Sequence, residues 1–140
     1  MADADNTMGI SIITPDRVFY EGRALMVEFT TTEGEIGVYP RHIPLTTVLY
    51  PGVVTITVSE DEKKLAGIYA GFAEILGDKV TILAEAAEWP DEIDVDRAKE
   101  ARDRAERRLK SSDANINMAR AELALRKSLV RIELAEGDKK

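Results

Sequence analysis

The sequence changes in character at Pro90, and this change limits the folds that the chain can adopt. All five prolines, all eight aromatic residues and eight of the nine glycines lie in residues 1–90. Residues 91–140 contain one glycine and neither proline nor aromatic side chains. Frequent turn-forming residues favour a β domain, and their absence favours long helices. We therefore predict two domains, residues 1–90 and residues 91–140.

The first domain contains short apolar segments separated by turn residues. Around Val27 and Phe29, and again around Val54 to Val58, apolar residues alternate with more polar ones. This period of two is typical of strands with one buried face. Turns are predicted at Pro15–Asp16, Glu21–Gly22, Glu33–Gly34, Pro51–Gly52, Ser59 to Lys64 and Gly77–Asp78. Strands this short indicate an all-β sandwich or flattened barrel.

The second domain has helical signals. Asp94 is a suitable N-cap, and it predicts a first helix from Val95 to about Lys110. A polar cluster at residues 111–115 predicts a turn, and a second helix is predicted from about Asn115 to Ala135. Helices joined by so short a connection form an antiparallel hairpin. The predicted fold is an N-terminal all-β sandwich or flattened barrel followed by a C-terminal antiparallel α-helical hairpin.

The two predicted helices differ in apolar content. The second carries eight large apolar residues, whereas the first has only Val95 and Leu109, with alanines between them. Because alanine buries little area, we predict that the hairpin docks weakly and can move. The apolar excess of the second helix requires a covering surface, either the β domain or another protein.

Composition excludes several classes of function. A formal net charge of -7 argues against a generally basic nucleic-acid binder. With no cysteine and one histidine, His42, the chain has no thiolate zinc site and no multi-histidine metal site. No nucleophile with an orienting acid is suggested around His42, so we predict no catalytic residue and interpret His42 as an interface residue.

The N-terminal residues and the length of the apolar segments indicate where the protein is located. The first seven residues lack the features of a signal peptide, and no apolar run approaches the ~20 residues that span a bilayer. We predict a cytosolic protein that contacts a membrane only through a partner.

Basic residues form stripes on both predicted helices. Several have an acid four positions away: Glu100 with Arg104, Asp103 with Arg107, Glu106 with Lys110, and Glu122 with Arg126. Four cations have no acid three or four positions away, namely Arg108, Arg120, Lys127 and Arg131. A solvated charged face is one interpretation. The other is an external anion, either a polyphosphate or an acidic patch on a partner.

Two segments resemble a known family. Residues 34–45 read Gly-Glu-Ile-Gly-Val-Tyr-Pro-Arg-His-Ile-Pro-Leu and are followed by Pro51-Gly52. This string resembles the signature of the epsilon subunits of bacterial F-type rotary ATP synthases. Residues 93–98, Ile-Asp-Val-Asp-Arg-Ala, match that family's Ile/Leu-Asp-x-x-Arg-Ala motif. The similarity extends from about Met8 to Leu134.

The resemblance implies a non-catalytic central-stalk subunit of a proton-translocating ATP synthase. Its β-sandwich is expected to contact the gamma subunit and the c-subunit ring. Its hairpin, with ~40 residues that span ~60 Å when fully helical, is expected either to fold down or to extend into the alpha/beta catalytic head and inhibit ATP hydrolysis. The implied location is the cytoplasmic face of the bacterial cell membrane, as a peripheral protein.

The resemblance also implies a nucleotide site. ATP is expected to act as a regulatory ligand, with no obligatory cofactor and no metal. The residues carried over for ATP are Glu88, Ile93, Asp94, Arg97, Ala98, Arg104, Lys127 and Arg131. Lys127 stands where well-matched binders have arginine, so bidentate phosphate geometry is lost there. The residues carried over for the rotor-ring and gamma interface are Glu35, Tyr39 and His42. A stand-alone ATP-sensing module with another partner is the alternative.

Overall fold

The computed structural model describes residues 6–137. The chain divides into two compact units between Ala87 and Glu88. The first unit is built of strands, and the second of two helices preceded by a short 3-10 turn, Pro90–Glu92. The division therefore falls close to Pro90, where the composition changes.

The first unit is one curved sheet that forms a nearly closed sandwich. Its strands are β1 (Met8–Ile13), β2 (Val18–Ala24), β3 (Met26–Thr31), β4 (Gly34–Val38), β5 (Leu45–Leu49), β6 (Gly52–Ser59), β7 (Glu62–Ile68), β8 (Gly71–Leu76) and β9 (Lys79–Ala84). A two-residue strand, β10 (Ala87–Glu88), spans the division. Strand order in the first unit is β7-β6-β3-β5-β8-β9-β1-β2, with β4 paired to β3.

Strand β3 connects the two halves of the sheet. It pairs with β6 through Met26–Glu28 and with β5 through Thr31, while β4 lies antiparallel along its other edge. The β1–β9 pair is parallel, unlike the hairpin pairs. Because one strand changes partner along its length, the sheet can fold over itself and enclose a core.

The predicted alternation is confirmed in the core. Val27, Phe29, Val54 and Ile56 are all buried, while Glu28 is exposed. Burial of such side chains is the main source of stability of the sandwich.

One predicted turn is wrong. Glu21–Gly22 lies inside β2, which continues to Ala24. A Cβ at Gly22 would lie 2.8 Å from the hydroxyl oxygen of Tyr20, two residues earlier on the same face. Gly22 therefore leaves room for the Tyr20 ring and does not reverse the chain.

The second unit contains α1 (Val95–Lys110) and α2 (Met118–Gly137). The predicted bounds of α1 are confirmed, and Oδ1 of Asp94 accepts a hydrogen bond from the backbone N–H of Arg97, at 3.1 Å. The second helix begins at Met118, three residues later than predicted. Asn117 caps it, because its Oδ1 accepts the backbone N–H of Arg120 at 3.1 Å.

Burial in the two helices is unequal, as their composition predicts. In α1 the buried residues are Ala98 and Ala105. In α2 they are Ala121, Ser128, Val130, Ile132, Leu134 and Ala135. The predicted fold class, an all-β sandwich followed by an α-helical hairpin, is confirmed. Neither helix in residues 6–137 has the length and apolar character that a membrane span requires.

Candidate functional site

A cleft of about 460 Å³ lies in the second unit. Its lining residues are Glu88, Glu92, Asp94, Arg97, Ala98, Ala101, Arg104 and Arg131. Three carboxylates and three guanidinium groups therefore border one cavity, and two alanines form part of its apolar wall. The volume falls within the ~300–1,000 Å³ that is usual for small-molecule sites.

Helical spacing brings the α1 residues into the cleft. Arg97, Ala101 and Arg104 are separated by four and three positions, so they lie on one face of α1. Asp94 precedes this face as the N-cap, and the 3-10 turn before it contributes Glu92. The α1 part of the site follows from local sequence.

Arg131 of α2 enters the cleft through a long-range ion pair. Its Nε lies 2.7 Å from Oε1 of Glu88, and the two side chains are 31% and 28% exposed. The hydrogen bond is charge-assisted, and it orients the guanidinium across the cleft from α1. A second ion pair, Lys99 Nζ to Glu136 Oε2 at 3.4 Å, connects α1 directly to α2.

Two of the carboxylates also stabilise the backbone. Asp94 caps α1 through one carboxylate oxygen, which leaves the other for a ligand. Glu92 accepts the backbone N–H of Trp89 at 2.9 Å through Oε1. The entrance to α1 is thus held by side chains that line the cleft.

The chemistry of the cleft suits a ligand with both neutral polar groups and negative charge. Guanidinium groups bind phosphate oxygens in a bidentate geometry. Carboxylates accept hydrogen bonds from hydroxyl and amino groups. A purely anionic ligand would be repelled by Glu88, Glu92 and Asp94. The mixed lining therefore fits a molecule such as a nucleotide, with a polar organic end and a phosphate end.

Six of the eight residues predicted for ATP line the cleft: Glu88, Asp94, Arg97, Ala98, Arg104 and Arg131. Ile93 and Lys127 do not. Ile93 ends the 3-10 turn, where its N–H donates to the Pro90 carbonyl, and Lys127 lies one helical turn before Arg131.

Glu92 and Ala101 also line the cleft and were not predicted from the sequence. Ala101 could have been found, because it lies between Arg97 and Arg104 on the same helical face. Glu92 gives no comparable signal, since its position depends on the 3-10 turn.

The predicted local ion pairs on α1 are wrong. Nε of Arg102 lies 3.2 Å from Asp103 Oδ1 and 4.0 Å from Glu106 Oε1. Within residues 6–137, Glu100–Arg104, Asp103–Arg107 and Glu106–Lys110 do not form. Arg102 therefore pairs with Asp103 and Glu106. The four-residue spacing had predicted these acids as partners of Arg107 and Lys110.

The predicted interface residues occupy different elements of the first unit. Glu35 is exposed and lies in strand β4, which pairs with β3. Tyr39 follows β4 and is 60% exposed. His42 lies in the connection to β5, where its Nδ1 is 2.6 Å from the Ile43 carbonyl oxygen. Glu35 and Tyr39 are four residues apart along an extended chain, or about 13 Å.

No metal centre is formed in the part of the chain that the structure describes. Among residues 6–137, no three His, Cys, Asp or Glu side chains lie together as metal ligands would.

Comparison with known proteins gives a consistent result for both units. The family model of the ATP synthase delta/epsilon chain beta-sandwich domain matches residues 7–90, and that of the long alpha-helix domain matches residues 91–136. The ATP synthase epsilon chain of Halalkalibacterium halodurans is 45% identical over 130 residues, which cover 92% of this chain and 97% of that protein. That of Shouchella clausii is 42% identical and covers 93% and 96%.

A solved structure shares the fold. It is a chain in the mitochondrial ATP synthase of Euglena gracilis, in a structure of OSCP, F1 and the c-ring, with a TM-score of 0.80 and 23% sequence identity. The match covers 96% of this chain and 82% of that chain. Both units, in the same order and over nearly their whole length, match one family. This chain belongs to the delta/epsilon chain family of ATP synthase, and the curated relatives named above are epsilon chains.

Proposed function

We propose that this chain is the epsilon subunit of the central stalk of a bacterial F-type ATP synthase, without catalysis of its own. In this function, its hairpin binds ATP as a regulatory ligand and inhibits ATP hydrolysis when it extends. The proposal for the stalk is supported by the two family matches. The proposal for ATP is supported by the cleft of the second unit, with its three arginines and three carboxylates.

The ion pair of Arg131 with Glu88 is the observation that carries the ATP proposal. It holds a cation from α2 across a cavity from Arg97 and Arg104 of α1. A triphosphate bound among these three groups would connect the two helices. The side chain of Asp94 and that of Glu88 would accept hydrogen bonds from the organic part of the nucleotide.

Ligand binding of this kind opposes extension of the hairpin. If α2 moves away from α1, Arg131 leaves the phosphate-binding set and the ligand loses contacts. A ligand at one hundred times its Kd stabilises the binding-competent state by ~2.7 kcal/mol. Because α1 buries only two alanines, this stabilisation is large relative to the free energy that the packing of α1 contributes. ATP would thus favour the folded hairpin and relieve inhibition.

The extended hairpin would act on the alpha/beta catalytic head. Residues 97–131 contain eleven basic and five acidic residues, so this segment suits an acidic surface of a partner. The β-sandwich would contact the gamma subunit and the c-subunit ring, with Glu35, Tyr39 and His42 at these interfaces. The protein would then lie at the cytoplasmic face of the bacterial cell membrane, bound only through the complex.

The test of the ATP proposal is calorimetric titration of the full chain. Arg131→Gln is expected to weaken ATP binding by about 10-fold or more, because a charge-assisted hydrogen bond contributes ~1.5–3 kcal/mol. Arg102→Gln is the matched control, since Arg102 pairs with Asp103 and lies outside the cleft. An equal loss in the two variants, or no binding by the parent chain, would refute the nucleotide site.

The stalk function has a separate test. The purified chain is expected to associate with the gamma subunit and to lower ATP hydrolysis by an epsilon-depleted catalytic head. Absence of gamma from a pull-down would favour a stand-alone ATP-sensing module. Undiminished ATP hydrolysis at saturating epsilon chain would refute inhibition by this chain but would not refute its place in the central stalk.

A further inference from the structure

A second cleft adjoins the first along α1. It has a volume of about 270 Å³, and its lining residues are Arg104, Arg107, Arg108, Ser111 and Ile116. Arg104 borders both clefts. No carboxylate lines the second cleft, in contrast to the three that line the first. The two cavities are therefore connected by one arginine but differ in the ligands that they suit.

The arginines of the second cleft lack counterions. Within the described residues, the side chains of Arg104, Arg107 and Arg108 form no ion pair and no hydrogen bond. The nearby acids Asp103 and Glu106 are directed to Arg102 instead. Three exposed guanidinium groups thus border one shallow groove without an ion pair from the chain itself.

This arrangement has an energetic cost. The three arginines are spaced i, i+3 and i+4, and like charges at these spacings destabilise a helix. The helix dipole stabilises cations in the last turn of a helix, and this explains why Arg107 and Arg108 are tolerated there. It does not account for Arg104, which precedes the last turn, because the dipole effect is confined to that turn. A bound anion would remove the repulsion among all three.

We propose that Arg104, Arg107 and Arg108 form a second anion subsite that takes a phosphate group. Guanidinium groups favour phosphate because they donate two parallel hydrogen bonds to its oxygens. Ser111 adds a neutral donor: its Oγ accepts the backbone N–H of Asp113 at 3.1 Å, and its own proton stays available for a phosphate oxygen. The wall also contains one apolar residue, Ile116, and no carboxylate that would repel a phosphate.

Two sources supply this chemistry. One is the terminal phosphate of a nucleotide in the first cleft, and this source rests on the proposed function. The other is free inorganic phosphate, which does not. Because Arg104 lies at the boundary, either source would couple the two clefts.

The test is NMR of the full chain labelled with nitrogen-15, which follows the Nε–H signals of the arginines. Inorganic phosphate is added at constant ionic strength, balanced with sodium chloride, so that screening does not change. We expect saturable shifts at Arg107 and Arg108. The double variant Arg107→Gln/Arg108→Gln should bind phosphate at least 10-fold more weakly. Lys63→Gln/Lys64→Gln removes the same number of charges from β7, outside both clefts, and should stay within twofold of the parent. Circular dichroism checks that each variant keeps its helices.

A second titration, with ATP already saturating, distinguishes the sources. If the nucleotide's terminal phosphate fills the subsite, ATP alone shifts the Arg107 and Arg108 signals and phosphate then adds nothing. If free phosphate is the ligand, it shifts the same signals with ATP bound. If ATP does not bind at all, the nucleotide proposal fails. The phosphate titration still tests whether Arg107 and Arg108 belong to an anion subsite. Shifts that do not saturate, or an equal loss in Lys63→Gln/Lys64→Gln, would overturn the subsite.

Discussion

Nε of Arg131 lies 2.7 Å from Oε1 of Glu88, and this ion pair joins two residues that are 43 positions apart. Glu88 precedes the first helix and Arg131 is in the second, so the pair fixes α2 against the segment that leads into α1. It also orients one of the three guanidinium groups of the nucleotide cleft.

The first prediction concerns this pair. In a double-mutant cycle with Glu88→Gln and Arg131→Gln, we expect a coupling energy of about 0.5–1 kcal/mol, because both side chains are partly exposed. Denaturant unfolding monitored by helical circular dichroism measures it. The coupling should fall in 1 M salt, where the Debye length is ~3 Å. The more exposed Lys99–Glu136 pair of the same hairpin is the control, and its coupling should be close to zero. Equal coupling for the two pairs would contradict the structural role of Glu88.

The second prediction separates the two roles of Asp94. Asp94→Ala removes the N-cap and should lower the free energy of unfolding of the hairpin by ~1 kcal/mol. Asp94→Asn keeps a capping oxygen and should leave stability nearly unchanged, since Asn and Asp cap equally well. Both variants lose the carboxylate and should bind ATP more weakly. Thermal unfolding and calorimetry measure the two effects. A loss of stability in Asp94→Asn as large as that in Asp94→Ala would show that charge, not capping, stabilises α1.

The third prediction tests the cleft by steric blocking. Ala101 is half-buried in the wall of the nucleotide cleft, so Ala101→Leu fills part of the cavity and leaves every charge in place. Affinity for ATP should fall by about 10-fold or more, at unchanged helix content, because leucine is a good helix former. Ala119→Leu, at an exposed position of α2, is the matched control and should change affinity less than about twofold. Unchanged binding in Ala101→Leu would place ATP elsewhere.

The fourth prediction concerns the β-sandwich. Gly71 has φ +124°, and a Cβ there would lie 2.0 Å from the carbonyl oxygen of Leu83. Gly71→Ala should therefore lower the free energy of unfolding by more than about 3 kcal/mol, because the backbone of the neighbouring strand must move. Gly77 has φ +58°, and a Cβ at that position would meet nothing within 4 Å. Gly77→Ala should cost only ~1–2 kcal/mol, from the left-handed backbone alone. Denaturant unfolding of the two variants measures both losses, and similar values would show that the contact with Leu83 relaxes easily.

Signals within short segments were sufficient for much of the fold. The bounds of α1 follow from the Asp94 cap and the polar cluster at residues 111–115, and the structure agrees with them. The alternation around Val27 and Val54 identified the buried faces of β3 and β6. These signals are reliable because a cap or a period of two acts on adjacent residues, whatever the remainder of the chain does.

Predictions failed where two local alternatives were both possible. Asn115 and Asn117 are equally plausible N-caps by type, and the structure uses Asn117. A glycine at position 22 is compatible with a turn or with a strand beside a large ring. It lies in a strand here, where its missing side chain leaves space for the Tyr20 ring. On α1, Asp103 has more than one arginine within reach, and it pairs with its neighbour Arg102. In each case residue type allows two geometries, and packing selects one.

Local sequence was enough to predict the change of architecture near Pro90, the order of sandwich and hairpin, and the motif residues Asp94, Arg97 and Ala98. Packing of the hairpin was needed to show that Arg131 pairs with Glu88, that Glu92 lines the cleft, and that Arg107 and Arg108 border a second cleft without carboxylates. The two kinds of feature depend on interactions of different range. Caps, periods and turns depend on energies between near neighbours, whereas a cleft depends on which side chains two helices bring face to face, and that is set by packing over the whole hairpin.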